Sequence, residues 1–444
     1  MWGCKMKRNI DRHLLEWRND PQRKVLLLRG PRQVGKTFSI RNLGQTFDDL
    51  FEVNFEEHPA IASFFSDSLD PEKITAKLAA YFGRPIVPGK SLLFFDEIQA
   101  CPSALSSLRF FYEKMPSLHL IATGSLLEFA LASIPSQGVG RIRSLFMFPM
   151  SFTEFLTAIG ADTLRDWVSQ AKLDRPLDAA LHRQLLDHAK TFLLVGGMPE
   201  VVKTYAETHD LLKCQRVLND LLITFKDDFS KYKKNAPTHR LKEAFESVAR
   251  QLGQKFMYSQ VESSSSGPSI KAAIEMLAQS GLIFKVYHSS ARGLPLGAQI
   301  KPKKFKVLLL DTGIAHRMLG FNMAPWLTAG DFSAINKGGL TELMVGLQLL
   351  AEADPLTPPQ LYYWQRESKN SQAEVDYVIQ KNESVLPVEV KAGTKGQMQS
   401  IGLFMRERNL AKGIRISLEN FSQYQNIQVL PLYAVTRIYD KWDP

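Results

Sequence analysis

The sequence predicts an α/β chain built on a parallel sheet, and three observations predict it. Apolar, strand-like runs alternate with helical stretches through the first 150 residues. A glycine-rich loop ends the first of those runs. After a mostly helical middle, a second series of strands and helices closes the chain. At 444 residues there is room for roughly three domains. An apolar share of 45% against 23% charged residues excludes a disordered chain.

Lysine and arginine outnumber the acids 55 to 45, a net charge of +10. That excess suits nucleic acid as a partner without establishing it. No run reaches the roughly 18 apolar residues needed to cross a bilayer. The start, MWGCKMKRNIDRHLLEW, has no apolar leader segment. Cys4, Cys101 and Cys214 lie far apart and form neither a metal-ligand spacing nor a disulfide framework. The expectation is a cytoplasmic protein with reduced thiols and no membrane partner.

The first strand, Val25 to Leu28, runs into Gly30-Pro31-Arg32-Gln33-Val34-Gly35-Lys36-Thr37, which fits G-x-x-x-x-G-K-[ST] in full. A helix from Phe38 to Leu43 follows, as the motif requires. Glycine lets the backbone curl so that successive N–H groups face a phosphate, and the helix N-terminus adds its positive end. Lys36 is expected to reach the β- and γ-phosphates, and Thr37 to ligate Mg²⁺. The second half of this site is Ser91-Leu92-Leu93-Phe94-Phe95-Asp96-Glu97. A buried strand carries Asp96 to the loop to hold the Mg²⁺ shell, and Glu97 is the residue type that activates a water. The ligands expected are ATP and Mg²⁺. A further strand, Leu50 to Phe55, lies between the two motifs, as happens when the aspartate strand is not the loop strand's neighbour.

Leu118 to Ser125 (LHLIATGS) ends in two polar candidates for γ-phosphate contact, Thr123 and Ser125, between which sequence does not choose. Gly140-Arg141 precedes an apolar segment. An arginine there can stabilise transition-state charge in a neighbouring copy, which requires self-association.

GPRQVGKT, FFDEIQ, ATGS, GRIRSLFMFPMSFTEF and LLVGGMPEVV occur in that order. Together they resemble a large family of prokaryotic AAA+-type ATPases with a C-terminal domain of uncharacterised role. The resemblance spans the chain and implies ATP and Mg²⁺ as ligands. The change from alternating to helical pattern along the chain sets an ATPase domain over residues 1–158 and a helical lid or linker over 159–235. In Gly196-Gly197-Met198-Pro199-Glu200, glycine stops one helix near Leu194 and Pro199 starts the next.

Residues 236–311 read as a winged-helix-like module. Ile270, Ala273, Ile274 and Leu277 recur at helical spacing, and Gly281 stops that helix. Strands Leu282 to Tyr287 and Phe305 to Asp311 flank a basic loop, in which Arg292, Lys301, Lys303 and Lys304 suit phosphate contacts with DNA.

The order of elements over 312–444 resembles the restriction-endonuclease-like fold. Its site calls for an Asp, a Glu-x-Lys on the next strand and a Glu on the preceding helix. Asp376, Glu389, Lys391 and Glu342 fill those places. A tight hairpin centred on Asn382-Glu383 sets Asp376 opposite Glu389 and Glu374 opposite Lys391, all on one face. Like carboxylates facing each other call for a cation, and Mg²⁺ takes such oxygens. Two whole-chain readings follow. One is an ATPase coupled to a nucleic-acid-binding or nuclease-like C-terminal half. The other is a nucleotide-driven switch acting on protein partners, its nuclease-like domain inactive.

Overall fold

The computed structural model describes residues 6–125, 127–128, 131, 140–232, 237–261, 267–321, 338–368, 372–394 and 398–439. Five strands make the first sheet: β1 (Val25–Arg29), β2 (Asp49–Asn54), β3 (Ser91–Asp96), β4 (His119–Thr123) and β5 (Ile142–Phe146). They are parallel and ordered β2-β3-β4-β1-β5. A parallel sheet is covered on both faces, so its strands read as continuous apolar runs. Alternation sends Leu26, Leu28, Leu92 and Phe94 into one core, and Leu27, Leu93 and Phe95 into the other. The aspartate strand β3 is thus separated from the loop strand β1. The strand between them is β4, and Leu50 to Phe55 supplies the edge strand β2 instead.

Around this sheet lie α1 (Ile10–Asn19), α2 (Lys36–Gly44), α3 (Pro71–Phe82) and α4 (Pro102–Lys114). A run of helices follows: α5 (Phe152–Ala158), α6 (Asp162–Gln170), α7 (Ala179–Val195), α8 (Pro199–Thr208), α9 (Leu211–Asp228), α10 (Thr238–Arg250) and α11 (Gly267–Gln279). Ser151 caps α5 in a capping box closed by Glu154. Gly196 ends α7 at φ +77°, and Pro199 opens α8.

The second sheet has eight strands, in the order β12-β13-β11-β10-β9-β8-β6-β7. Its members are β6 (Ile283–Ser289), β7 (Ile300–Leu309), β8 (Leu361–Gln365), β9 (Glu374–Lys381), β10 (Ser384–Val390), β11 (Gly413–Ser417), β12 (Ser422–Tyr424) and β13 (Ile427–Pro431). Three more helices accompany them: α12 (Thr312–Met318), α13 (Gly339–Ala351) and α14 (Gln399–Arg408). Helix α13 is buried on every side from Leu340 to Leu350, which suits a helix apolar all round.

The strands read as a separate winged-helix-like module do not stand apart. They form an antiparallel pair, but β6 also pairs in parallel with β8, so both extend the C-terminal sheet. One continuous apolar core runs from Phe148 to Ile438 through the helical stretch, this pair and the final strands. Among the described residues, no helix is long and apolar enough to cross a membrane.

Candidate active site at the phosphate loop

The loop leaves β1 at Gly30 (φ +141°) and enters α2 at Gly35 (φ +95°). Both values lie where a side chain is strained, which is why glycine stands there. Lys36 is buried, and its ammonium donates to the Gly30 carbonyl at 2.9 Å and the Pro31 carbonyl at 2.6 Å. Burial depresses it to about 8, against the pull of Glu97 and Asp96. The Thr37 hydroxyl donates to Asp96 Oδ2 at 3.1 Å. Loop and aspartate strand therefore meet although β4 lies between their strands. Burial, then the charge of Glu97, pushes the Asp96 carboxyl up to about 6.

Glu97 follows in a left-handed conformation (φ +49°). Its Oε2 accepts from the Ser125 N–H at 3.0 Å, the Ser125 hydroxyl at 2.9 Å and the Gln99 amide at 2.6 Å. Burial acts to raise this carboxyl, but those donors together with Arg32 outweigh it and hold Glu97 below its usual range. Thr123 lies next to Leu28 of β1 in the sheet register. Its hydroxyl is buried and has no hydrogen-bond partner among the described residues. The two polar candidates thus divide: Ser125 holds Glu97, and Thr123 is an uncommitted hydroxyl beside the loop strand.

Sequence reasoning missed the residues that support this loop from behind. The Arg8 side chain, only 5% exposed, donates to the Val34 carbonyl at 2.6 Å and the Phe148 carbonyl at 2.7 Å. Its Nε lies 3.0 Å from Glu154. Arg32 of the loop pairs with Asp228 at the end of α9. A Cβ built on Gly35 would lie 3.7 Å from Pro199, and one on Gly281 would lie 2.9 Å from Pro31. Asp311 is fully buried, and its carboxylate accepts from the Gly197 N–H at 2.6 Å and the Ile314 N–H at 3.0 Å. That contact fixes the glycine turn before Pro199. An arginine ahead of the first helix carries no local signal of any of this, because each partner is distant in sequence.

Arg141 immediately precedes Ile142, which is level with Val25 at the N-terminal end of β5, whereas the phosphate loop leaves the C-terminal end of β1. It pairs with Glu113 of the same chain.

In the second sheet the hairpin register is as expected, with Ser384 opposite Lys381 and Val388 opposite Tyr377. Val375, Val388 and Val390 are buried on the other face. The surroundings of the carboxylates differ from the expectation. Lys391 donates to Glu389 Oε1 at 2.5 Å, and Asp376 Oδ2 accepts from the Val390 N–H at 2.7 Å. Lys306 of β7 lies among Glu342, Glu374 and Asp376, at 2.8, 2.5 and 3.8 Å. Those carboxylates hold its ammonium firmly charged against the cost of burial. No group of three or more metal-ligating side chains is found among the described residues. In the basic loop, Lys301 and Lys304 both pair with Glu367, which holds that carboxyl down at about 2. Part of the positive charge set aside for DNA is therefore neutralised within the chain.

Comparison with known proteins bears on the first sheet. A family model described as an AAA domain matches residues 22–156. Over this stretch, which carries the phosphate loop, the chain is similar to AAA domains. Residues 186–324 and 337–435 match two models, each described as a domain of unknown function (DUF8612 and DUF4143). No curated protein matches the sequence. Among solved structures, the Walker-type ATPase paby2304 of Pyrococcus abyssi is 16% identical, with a TM-score of 0.46 over 71% of this chain and 96% of that one. The Aeropyrum pernix Orc1 protein in complex with DNA is 14% identical, with a TM-score of 0.31 over 71% and 92%. At such identities and scores neither likeness carries a functional conclusion to this chain.

Proposed function

We propose that this protein is a Mg²⁺-dependent ATPase that works as a nucleotide-driven switch, its phosphate loop reporting to the helices and second sheet packed around it. The observation that carries the reading is the meeting of Lys36, Thr37, Asp96 and Glu97 at one loop. The residues fit the ligands: a glycine-framed cradle, a hydroxyl and a carboxylate 3.1 Å apart, and the orphaned Thr123 hydroxyl. Thr37 and Asp96 would hold Mg²⁺, and the loop N–H groups with Lys36 would hold the phosphates. Bound Mg²⁺ supplies charge neutralisation at the β- and γ-phosphates.

The chain's own residues do the rest. Glu97, kept ionised by three donors, orients and deprotonates a water. Ser125 sets the carboxylate's direction, and Thr123 offers a hydroxyl to the γ-phosphate. The switch reading rests on the loop's surroundings, since Arg8 and Asp228 bond to it and Pro199 and Gly281 lie close beside it, from four separate parts of the chain. The DNA-coupled reading has weaker support, given the pairing of Lys301 and Lys304 with Glu367.

The test is ATP turnover by wild type, Lys36→Ala and Glu97→Gln, with and without DNA. Lys36→Ala is expected to lose ATP binding. Glu97→Gln is expected to keep binding and lose roughly 10²–10⁴-fold in turnover, the usual contribution of a general base. Turnover undiminished in both variants would end the ATPase assignment, and strong stimulation by DNA would restore the nucleic-acid reading.

A further inference from the structure

The sequence calls for a divalent cation among the carboxylates of β9, β10 and α13, yet a cation is already present there. We infer that Lys306 is the resident cation of this cluster, that it stands where a divalent ion would sit, and that the cluster is a metal-free ionic joint rather than a cleavage centre.

Five of the eight oxygens of Glu342, Glu374, Asp376 and Glu389 already face an ammonium or an N–H. Glu342 Oε1 and Glu374 Oε1 face the Lys306 ammonium at 2.8 and 2.5 Å, and Asp376 Oδ1 lies 3.8 Å from it. Asp376 Oδ2 is taken by the Val390 N–H, and Glu389 Oε1 by Lys391. Among these carboxylates, Glu389 Oε2 is buried with no hydrogen-bond partner among the described residues. Mg²⁺ is usually held by one or two carboxylates with waters completing its octahedron, and here the carboxylate oxygens that would bind it face lysine ammonium groups instead. An ion among these carboxylates would also have to share their oxygens with an ammonium, like charge against like charge.

Lys306 is not free to leave. Its side chain is 2% exposed and lies over the Tyr363 ring at 5.4 Å. Its backbone pairs with Val286 on one side and forms a bridge to Lys255 on the other. The lysine of the Glu-x-Lys pair is engaged as well, since Lys391 turns onto its own Glu389. What Lys306 does instead is structural. It joins β7 to α13 through Glu342 and to β9 through Glu374 and Asp376. The antiparallel pair to which it belongs begins just after Gly281, the residue packed against Pro31 of the phosphate loop.

Mn²⁺ titration of the nucleotide-free full chain by calorimetry tests this, with wild type, Asp376→Asn, Lys306→Met and the double variant. ATP turnover is not read, so failure of the ATPase proposal leaves these isotherms unaffected. Wild type and Asp376→Asn are expected to give the same isotherm. Lys306→Met is expected to gain one Mn²⁺ site, which the double variant loses. A wild-type site abolished by Asp376→Asn would overturn the inference. So would a folded Lys306→Met that gains no site, or Mn²⁺-dependent DNA cleavage by wild type that Asp376→Asn removes. Should Lys306→Met not fold, Lys306→Gln carries the same arm, and wild type against Asp376→Asn decides without either.

Discussion

Two buried groups at the phosphate loop set a pH window for ATP use. Asp96 must be ionised to hold Mg²⁺, and burial together with Glu97 has raised it to about 6. Lys36 must be protonated to grip phosphate, and burial has lowered it to about 8. The kcat/KM profile reports groups of the free enzyme, so it should be a bell with limbs near those two values. A single titrating group costs roughly tenfold for each pH unit beyond its limb, so pH 5 and pH 9 should each lie about tenfold below the plateau at pH 7. The assay is steady-state ATP turnover from pH 5 to 9 with Mg²⁺ in excess, repeated with Lys36→Arg. The guanidinium stays charged throughout that range, so this variant should be slower overall and lack the alkaline limb. A limb near 8 that persists in Lys36→Arg, or wild-type activity undiminished at pH 9, would refute the reasoning. The same shifts act on the stability of the empty protein. Asp96 binds its proton more tightly folded than unfolded, so its contribution falls as pH rises through 4 to 6. Lys36 binds its proton less tightly when folded, so its contribution rises only between about pH 8 and 10.5. Both penalties stand in full near pH 7, where bound Mg²⁺ and ATP relieve them and should raise Tm.

Three substitutions probe the surroundings of the loop. Arg8→Met strips the Val34 and Phe148 carbonyls and Glu154 of a buried partner, and should cost about 3–5 kcal/mol in urea unfolding while weakening ATP binding in a nucleotide titration. Unchanged stability would show that Arg8 does not brace the loop. Ser125→Ala removes one charge-assisted donor from Glu97, worth about 1.5–3 kcal/mol. It should lower kcat by roughly 10–100-fold at constant ATP affinity, and an equal loss in affinity would place Ser125 on the nucleotide instead. Gly281→Val adds a side chain at φ +74°, with Cβ 2.9 Å from Pro31. The strain and overpacking should cost about 1–3 kcal/mol and weaken ATP binding, and unaltered binding would sever this turn from the loop.

The first sheet was legible because its signals are local. A glycine loop between strand and helix, and an aspartate at the tip of an apolar run, specify their geometry within a few residues. The Asn382-Glu383 hairpin was legible for the same reason, and its register follows from the turn alone. Arg8, Asp228 and Asp311 were not, since each acts on a partner more than a hundred residues away. Lys306 is the instructive case. It interrupts the apolar strand from Phe305 to Leu310, and a charge inside a buried strand calls for a partner. In the sequence it falls in the strand Phe305 to Asp311, next to the basic loop that holds Lys301, Lys303 and Lys304, and nothing local assigns it a partner. The strand's own burial pattern, intermediate at Lys304 and buried from Phe305 onward, separates it from them. The merging of the winged-helix-like strands with the C-terminal sheet was hidden in the same way, because β6 pairs with β8 across more than seventy residues.

Pro31 is where these observations meet. Two of the three donors of Lys36 go to the Gly30 and Pro31 carbonyls. A bound γ-phosphate competes for the same ammonium, and an ionised phosphate oxygen is a stronger acceptor than a neutral carbonyl. On the proposed function, nucleotide binding would weaken a contact that holds Pro31 in place. The Pro31 ring rests on Gly281, where there is no side chain to absorb a shift. Beyond Gly281 the chain enters β6, pairs with β7 and reaches the Lys306 joint, which ties that edge of the sheet to α13 and β9. A buried ion pair with few alternative partners resists deformation more than apolar contacts do, because separating it exposes unpaired charge. The joint thus favours movement of the strand pair and second sheet as one piece, and places any bending at the Pro31–Gly281 contact.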